Sequence, residues 1–141
     1  MSSMRKWIAG AAVGLVIIPL LPMIDAILSR GSLRGYYEDG RCACGHDSYV
    51  HIEGDRYWQY SPGHGMPEQH LFNVRPCDDG WELIAVYAPD RVWSPVQESQ
   101  VTPRLRIQNG DLYESWAGTN WTRHARVYNP WPVWFAKWLA R

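Results

Sequence analysis

Residues 49–60 read Tyr-Val-His-Ile-Glu-Gly-Asp-Arg-Tyr-Trp-Gln-Tyr, two runs of strand-favouring side chains around a Gly-Asp pair. A two-residue loop of that composition supplies the unusual backbone dihedrals that a tight β-hairpin needs. Placing it at Gly54-Asp55 sets Glu53 against Arg56, His51 against Trp58 and Tyr49 against Tyr60 on one face, and leaves Val50, Ile52 and Tyr57 on the other. One face then carries an ion pair and an aromatic ladder and the other is more aliphatic, the segregation expected of a half-buried antiparallel sheet.

The same punctuation recurs downstream. Asn109-Gly110 pairs Ile107 with Leu112 and Arg106 with Tyr113, again separating an apolar face from a polar one. Asp79-Gly80 joins Leu-Phe-Asn-Val-Arg-Pro-Cys (71–77) to Trp-Glu-Leu-Ile-Ala-Val-Tyr (81–87), the most apolar pair of runs. Residues 121–128, Trp-Thr-Arg-His-Ala-Arg-Val-Tyr, supply another alternating strand, and a short one is expected near Gly35–Tyr37. Together these predict an all-β domain of about eight antiparallel strands in an up-and-down meander. Closing such a sheet into a small barrel protects its edges; an open sheet or sandwich is the alternative. The hairpin rhythm is similar to that of lipocalin-like barrels, a likeness of architecture. Two stretches rich in Pro and Gly, 61–69 and 89–103, read as loops at one end of the barrel, with His64 and Trp93 as their ligand- or partner-binding candidates. Trp93 reads either as a lid or as a pin for its own loop.

Upstream, residues 7–24 (Trp-Ile-Ala-Gly-Ala-Ala-Val-Gly-Leu-Val-Ile-Ile-Pro-Leu-Leu-Pro-Met-Ile) carry no charge, and the apolar character continues to Leu28 with Asp25 as its interruption. A bilayer core of about 30 Å needs roughly 20 apolar helical residues, so 7–28 can serve as a transmembrane signal-anchor. Arg5 and Lys6 before it favour a cytoplasmic N-terminus and export of the domain downstream, although Arg30 and Arg34 weaken that asymmetry. The expected location is therefore a bacterial-type inner membrane, single-pass, with the β-domain extracytoplasmic in the periplasm. Cleavage near Ala26 is the competing reading, and Ile24-Asp25 fits the small-residue cleavage pattern poorly. Gly10 and Gly14 form a G-x-x-x-G through which two such helices can approach, giving a homo-oligomer.

At the other end, Trp131, Trp134, Phe135, Trp138 and Leu139 recur at i, i+3, i+4, i+7 and i+8, one stripe of a short helix, with Lys137 and Arg141 off it. This stripe reads either as a cap on the barrel or as a membrane-interface helix. The domain plan is an anchor at 1–30, a barrel at 31–130 and a Trp-rich helix at 131–141.

The chain has 141 residues, with 14 Lys and Arg against 14 Asp and Glu, 9 Trp, 8 Tyr and 2 Phe. Neutrality and a high apolar content exclude a disordered tail and a strongly basic nucleic-acid binder. The charge is uneven, running basic before residue 30, acidic through 31–100 and basic again to the C-terminus, which can orient the protein against an anionic surface.

The densest chemical cluster is Cys42-Ala43-Cys44-Gly45-His46, with Cys77 as the remaining cysteine. In an exported domain Cys77 is expected to form a disulfide with Cys42 or Cys44, leaving one thiol able to join two copies. The alternative is a metal- or thiol-handling module in which Cys42, Cys44, His46 and Cys77 hold zinc or copper. Histidines 46, 51, 64, 70 and 124 read as exposed or hydrogen-bonded surface residues, and Glu38-Asp39 and Asp78-Asp79 as solvated turns. The sequence contains no G-x-S-x-G, no phosphate-cradling glycine loop and no H-E-x-x-H. Arg104, Arg106, Arg123 and Arg126 interleave with Tyr113, Trp116 and Trp121, an arrangement able to meet lipid phosphate. The expected role is non-enzymatic binding of an envelope protein, a lipid or a small apolar ligand through His64, Trp93, Arg104, Arg106, Trp131, Trp134 and Trp138, with no resident cofactor and no nucleic-acid partner.

Overall fold

A computed structural model describes residues 2–41, 48–61, 66–86, 102–116 and 120–139. It is an all-β barrel flanked by two helices. Helix α1 (Ser2–Leu28) leads into strands β1 (Gly35–Glu38), β2 (Tyr49–Glu53), β3 (Arg56–Ser61), β4 (Met66–Cys77), β5 (Gly80–Ala85), β6 (Arg104–Gln108), β7 (Asp111–Ser115) and β8 (Trp121–His124), and helix α2 (Trp131–Leu139) comes last. The strands form one antiparallel sheet in sequence order. The sheet curls until Tyr37 bridges Arg126, with backbone bonds from Glu38 N to the Ala125 carbonyl and from Val127 N to the Tyr36 carbonyl, both 2.8 Å. These bonds nearly close the barrel and cover the exposed edges of the first and last strands.

The opening hairpin has the register its sequence predicts. Glu53 faces Arg56, Ile52 faces Tyr57, His51 faces Trp58 and Tyr49 faces Tyr60. Gly54 takes the left-handed backbone its turn demands, φ +61°. The Asn109-Gly110 hairpin also holds, pairing Ile107 with Leu112 and Arg106 with Tyr113, with both turn residues at positive φ. The third hairpin differs by one residue, because Cys77 faces Gly80 and the loop is Asp78-Asp79. Gly80 serves a close approach instead, since a Cβ there would lie 2.4 Å from the Leu105 carbonyl oxygen.

Two further boundaries differ from expectation. Ser61 ends β3 and Met66–Gln69 begin β4, so part of the expected 61–69 loop is strand. The ladder accommodates Pro67 by a register shift, Gln59 facing Gln69 while Ser61 faces Met66, which places the extra β4 residue beside a proline that cannot donate to it. The expected strand 121–128 is divided, β8 ending at His124 while 125–127 cross to β1 and close the ring. The expected loop at 89–103 and its Trp93 lie outside the described residues except for its last two positions.

Inside the barrel, Tyr37, Val50, Ile52, Tyr57, Phe72, Val74, Leu83, Leu105 and Leu112 form one buried cluster. Burial of this size, at about 25 cal/mol per Å² of apolar surface, is the main force holding the sheet in a ring. Antiparallel alternation gives the barrel two unlike ends. The three two-residue turns, the exit of α1 and the entry of α2 share one end, while the connections after β1, β3, β5 and β7 leave from the other.

Candidate functional site

The barrel wall carries ionisable groups inward near the end from which the long connections leave. Glu114 lies two residues beyond Leu112 on β7, and strand alternation therefore turns both toward the interior. Both are fully buried. Register places His124 opposite Leu112, and Asp39 lies two residues beyond the inward Tyr37. The fold thus draws two carboxylates and an imidazole from distant parts of the chain into one buried cluster.

These groups satisfy one another. His124 Nε2 lies 2.9 Å from Glu114 Oε2, and the Gly40 backbone N–H donates to His124 Nδ1 at 3.1 Å. Since Nδ1 accepts, the proton of the neutral ring sits on Nε2 and is donated to the Glu114 carboxylate. The Tyr57 hydroxyl donates to Glu114 Oε1 at 3.3 Å, and an Arg41 guanidinium nitrogen stands 3.4 Å from Oε2. Arg41 also donates to both oxygens of Asp39, at 2.9 and 3.3 Å, and Gln59 Nε2 donates to Asp39 Oδ2 at 3.0 Å.

Protonation is set by these contacts. Burial opposes the Asp39 charge, but the hydrogen bonds and charge of Arg41 prevail and hold this carboxyl below its ordinary range. Burial and then the Glu114 carboxylate push the Tyr57 phenol well above its usual value, so it stays a donor. Burial works against the Arg41 charge, and the facing Tyr57, Glu114 and Asp39 reverse that and raise it. Both His124 ring nitrogens are engaged and Arg41 bridges the two acids. The arrangement suits a structural lock between β1, β3, β7 and β8, in which removing one partner of a buried ionic set costs about 3–5 kcal/mol. Asp39 is therefore not a solvated turn residue, and His124 is not a surface histidine.

A second constellation lies at the tight-turn end. Arg126 is buried, and its guanidinium donates to the carbonyls of Gly110 (2.7 Å) and Arg34 (2.8 Å), to that of Ser32, and to the Tyr37 hydroxyl (2.7 Å) while lying 4.8 Å above the Tyr37 ring. A planar five-donor fork is the side chain able to collect so many backbone acceptors at once. The segment between α1 and β1 is thereby tied to the barrel. An exposed Arg34–Asp25 ion pair at 2.8 Å adds a contact back to α1.

Helix α2 docks on the outer wall beside this clamp. Val133 is buried, and Lys137 Nζ reaches Glu68 Oε2 at 2.6 Å. Glu68 Oε1 meets His51 Nδ1 at 2.9 Å, and the His51 ring stacks on Tyr36 at 4.1 Å, which Trp134 approaches edge-on. Burial raises the Glu68 carboxyl, but its bonds to His51 and Lys137 outweigh that and leave it below the usual range. The indole N–H of Trp131 donates to the Pro19 carbonyl of α1 at 2.8 Å. A groove of about 200 Å³ runs between the two helices and the barrel, with Pro22, Ala26, Tyr36, His51 and Trp134 among its walls.

Of the other predicted site residues, Cys42, Cys44, His46, His64 and Trp93 lie outside the described residues. Cys77 is a free, partly buried thiol at the tight-turn end, while Arg41 and Ser48, which flank 42–47, stand at the opposite end. Among the described residues no group of three or more His, Cys, Asp and Glu is placed to hold a metal. Arg104 pairs with Asp79 and Arg123 with Asp111, whereas Arg106 lies over the rings of Trp121 and Tyr113 at 4.2 and 5.5 Å. Arg126 is committed to the clamp, whereas Arg106 and Arg123 flank Tyr113 in register across β6, β7 and β8. Trp131, Trp134 and Trp138 stand on α2, and Gly10 and Gly14 on α1 face open space. Sequence reasoning did not find Arg41, Tyr57, Gln59, Glu68 and Glu114 as partners in charge networks. For Glu114 the signal was present, as an acid in phase with the apolar Leu112. Comparison with known protein families, curated proteins and solved structures finds no match.

Proposed function

We propose that this protein is a single-pass, membrane-anchored binding module whose barrel presents its long-connection end to an envelope protein, without catalysing a reaction. The reading places the barrel on the extracytoplasmic side, as the Arg5-Lys6 pair before α1 favours. Residues 6–28 form a helix of 23 residues long and apolar enough to cross a bilayer. The observation that carries the proposal is the rigid joint. Arg126, Arg34 and Trp131 bind the barrel to α1 and to the segment after it at the tight-turn end, leaving the other end directed away. Those same contacts support a retained anchor, because cutting near Ala26 would discard Pro19 and Asp25. The barrel interior is occupied by its own side chains among the described residues, which favours a protein partner over an enclosed ligand.

Site-specific photo-crosslinking from the full chain in cells tests the proposal. A photoreactive residue at Thr102 or Asn120, both exposed at the long-connection end, is expected to capture one recurring protein of defined mass. The same residue at Asp55, exposed in a tight turn, is expected not to capture it. Equal capture from both ends, or none from Thr102 and Asn120, would overturn the reading.

A further inference from the structure

Helix α2 is short, yet both of its faces are assigned by contacts. On one side Val133 is buried against the barrel and Lys137 turns inward to Glu68. The opposite side leaves Trp131, Phe135, Trp138 and Leu139 at 43%, 60%, 66% and 64% exposure. Lys137 is the cation of this segment's last turn, and its capture by Glu68 leaves that stripe uncharged. Four large apolar side chains on one uncharged stripe, including two indoles, are costly to hold in water and suited to contact with lipid.

The neighbouring element says what covers them. Trp131 donates to the carbonyl of Pro19, nine residues before the end of α1. At 1.5 Å per residue that is ~14 Å along the helix axis from Leu28, inside the length that a bilayer would enclose. The exposed side chains of α1 (Leu15, Val16, Ile18, Leu20, Leu21 and Ile24) lead up to this contact, so the α2 stripe continues an apolar surface already present.

We propose that α2 is embedded in the same leaflet that receives the C-terminal end of α1, packed beside that helix at the depth of Pro19 with Trp131, Phe135, Trp138 and Leu139 toward lipid. This rests on the reading of α1 as a membrane anchor. The barrel is then fixed in tilt as well as tethered, since two elements about one helix diameter apart enter the bilayer. The Lys137–Glu68–His51 chain sets the rotation of α2 and so its lipid-facing stripe.

A nitroxide-bearing amino acid introduced one site at a time at Leu20, Phe135, Trp138 and Asn120, in the full chain reconstituted in vesicles of phosphatidylcholine and phosphatidylglycerol, tests this. Collision with oxygen is compared with collision with a water-soluble nickel chelate. Positions 135 and 138 are expected to resemble position 20, with an oxygen-to-nickel ratio severalfold above that at position 120. If position 20 is in lipid while 135 and 138 match 120, α2 is not embedded and the anchor stands. If 135 and 138 are shielded from both reagents, protein covers the stripe and the lipid assignment is wrong. If position 20 is itself in water, the anchor reading fails and this inference falls with it.

Discussion

Replacing Arg126 by Met tests whether the barrel is clamped to the segment that follows α1. Met keeps the length and apolar stem but removes every donor. The Gly110 carbonyl is buried and loses its 2.7 Å bond, a cost of about 1–3 kcal/mol for an acceptor left without water. The Arg34 and Ser32 carbonyls are partly reached by solvent and together add about 1–2 kcal/mol. The guanidinium over the Tyr37 ring contributes of order 1 kcal/mol. Relief from burying a charge offsets part of this, so the expected loss is about 2–4 kcal/mol. With a urea dependence of roughly 2 kcal/mol/M, the unfolding midpoint in detergent micelles should fall by about 1–2 M, monitored by the near-ultraviolet circular dichroism of the packed aromatics. Arg126→Lys keeps the charge but reaches fewer carbonyls, and it should recover less than half of the loss. A midpoint shift below about 0.3 M for Arg126→Met, or full recovery by Arg126→Lys, would refute the account of the guanidinium as a multidentate clamp.

The same geometry makes three further outcomes testable. Asp39 has a folded-state pKa below its unfolded one, so its contribution is present above the ordinary carboxylate range near pH 4 and is lost as pH falls through the folded value. The stability gap between the native protein and Asp39→Asn should therefore narrow on acidification from about pH 6 to about pH 3, and a gap independent of pH would contradict the Arg41 pairing. Gly80→Ala should destabilise by more than about 2 kcal/mol in a melt or urea titration, because its Cβ would meet backbone at 2.4 Å and the position has φ +142°; a neutral substitution would show that the β5–β6 contact is not close. Peptide mapping by mass spectrometry should find Cys77 alkylated without prior reduction, since it is a free, partly buried thiol at the tight-turn end. A Cys77 that resists alkylation until reduced would overturn that placement.

What the sequence disclosed was governed by local chemistry. Gly54-Asp55 and Asn109-Gly110 each set a register through their own dihedrals, and the helical stripe from Trp131 to Leu139 is a periodicity within nine residues. Asp79-Gly80 misled by one position because that glycine answers to Leu105, which is 25 residues away and invisible to a turn rule. The same distinction explains the interior network. Glu114 and His124 meet across the β7–β8 pair, but Asp39 and Tyr57 reach them only when the ring forms, so that partnership is a property of topology.

Strand parity nevertheless carried a trace of the network, since an acid at 114 in phase with Leu112 has either to face inward with a partner or to break the pattern. Two buried carboxylates need donors, and the strands bring Arg41, Gln59, Tyr57 and the Nε2–H of His124 within bonding distance of them. Replacing that set with apolar side chains could match its stability, because desolvating charges consumes most of their attraction. What apolar side chains would not supply is directionality. A slip of one residue between β7 and β8 would turn Glu114 and His124 to opposite faces and strand a buried charge. The ionic interior therefore accounts for a ring that closes in one register, and the joint at Arg126 for a ring held in one orientation to its helix.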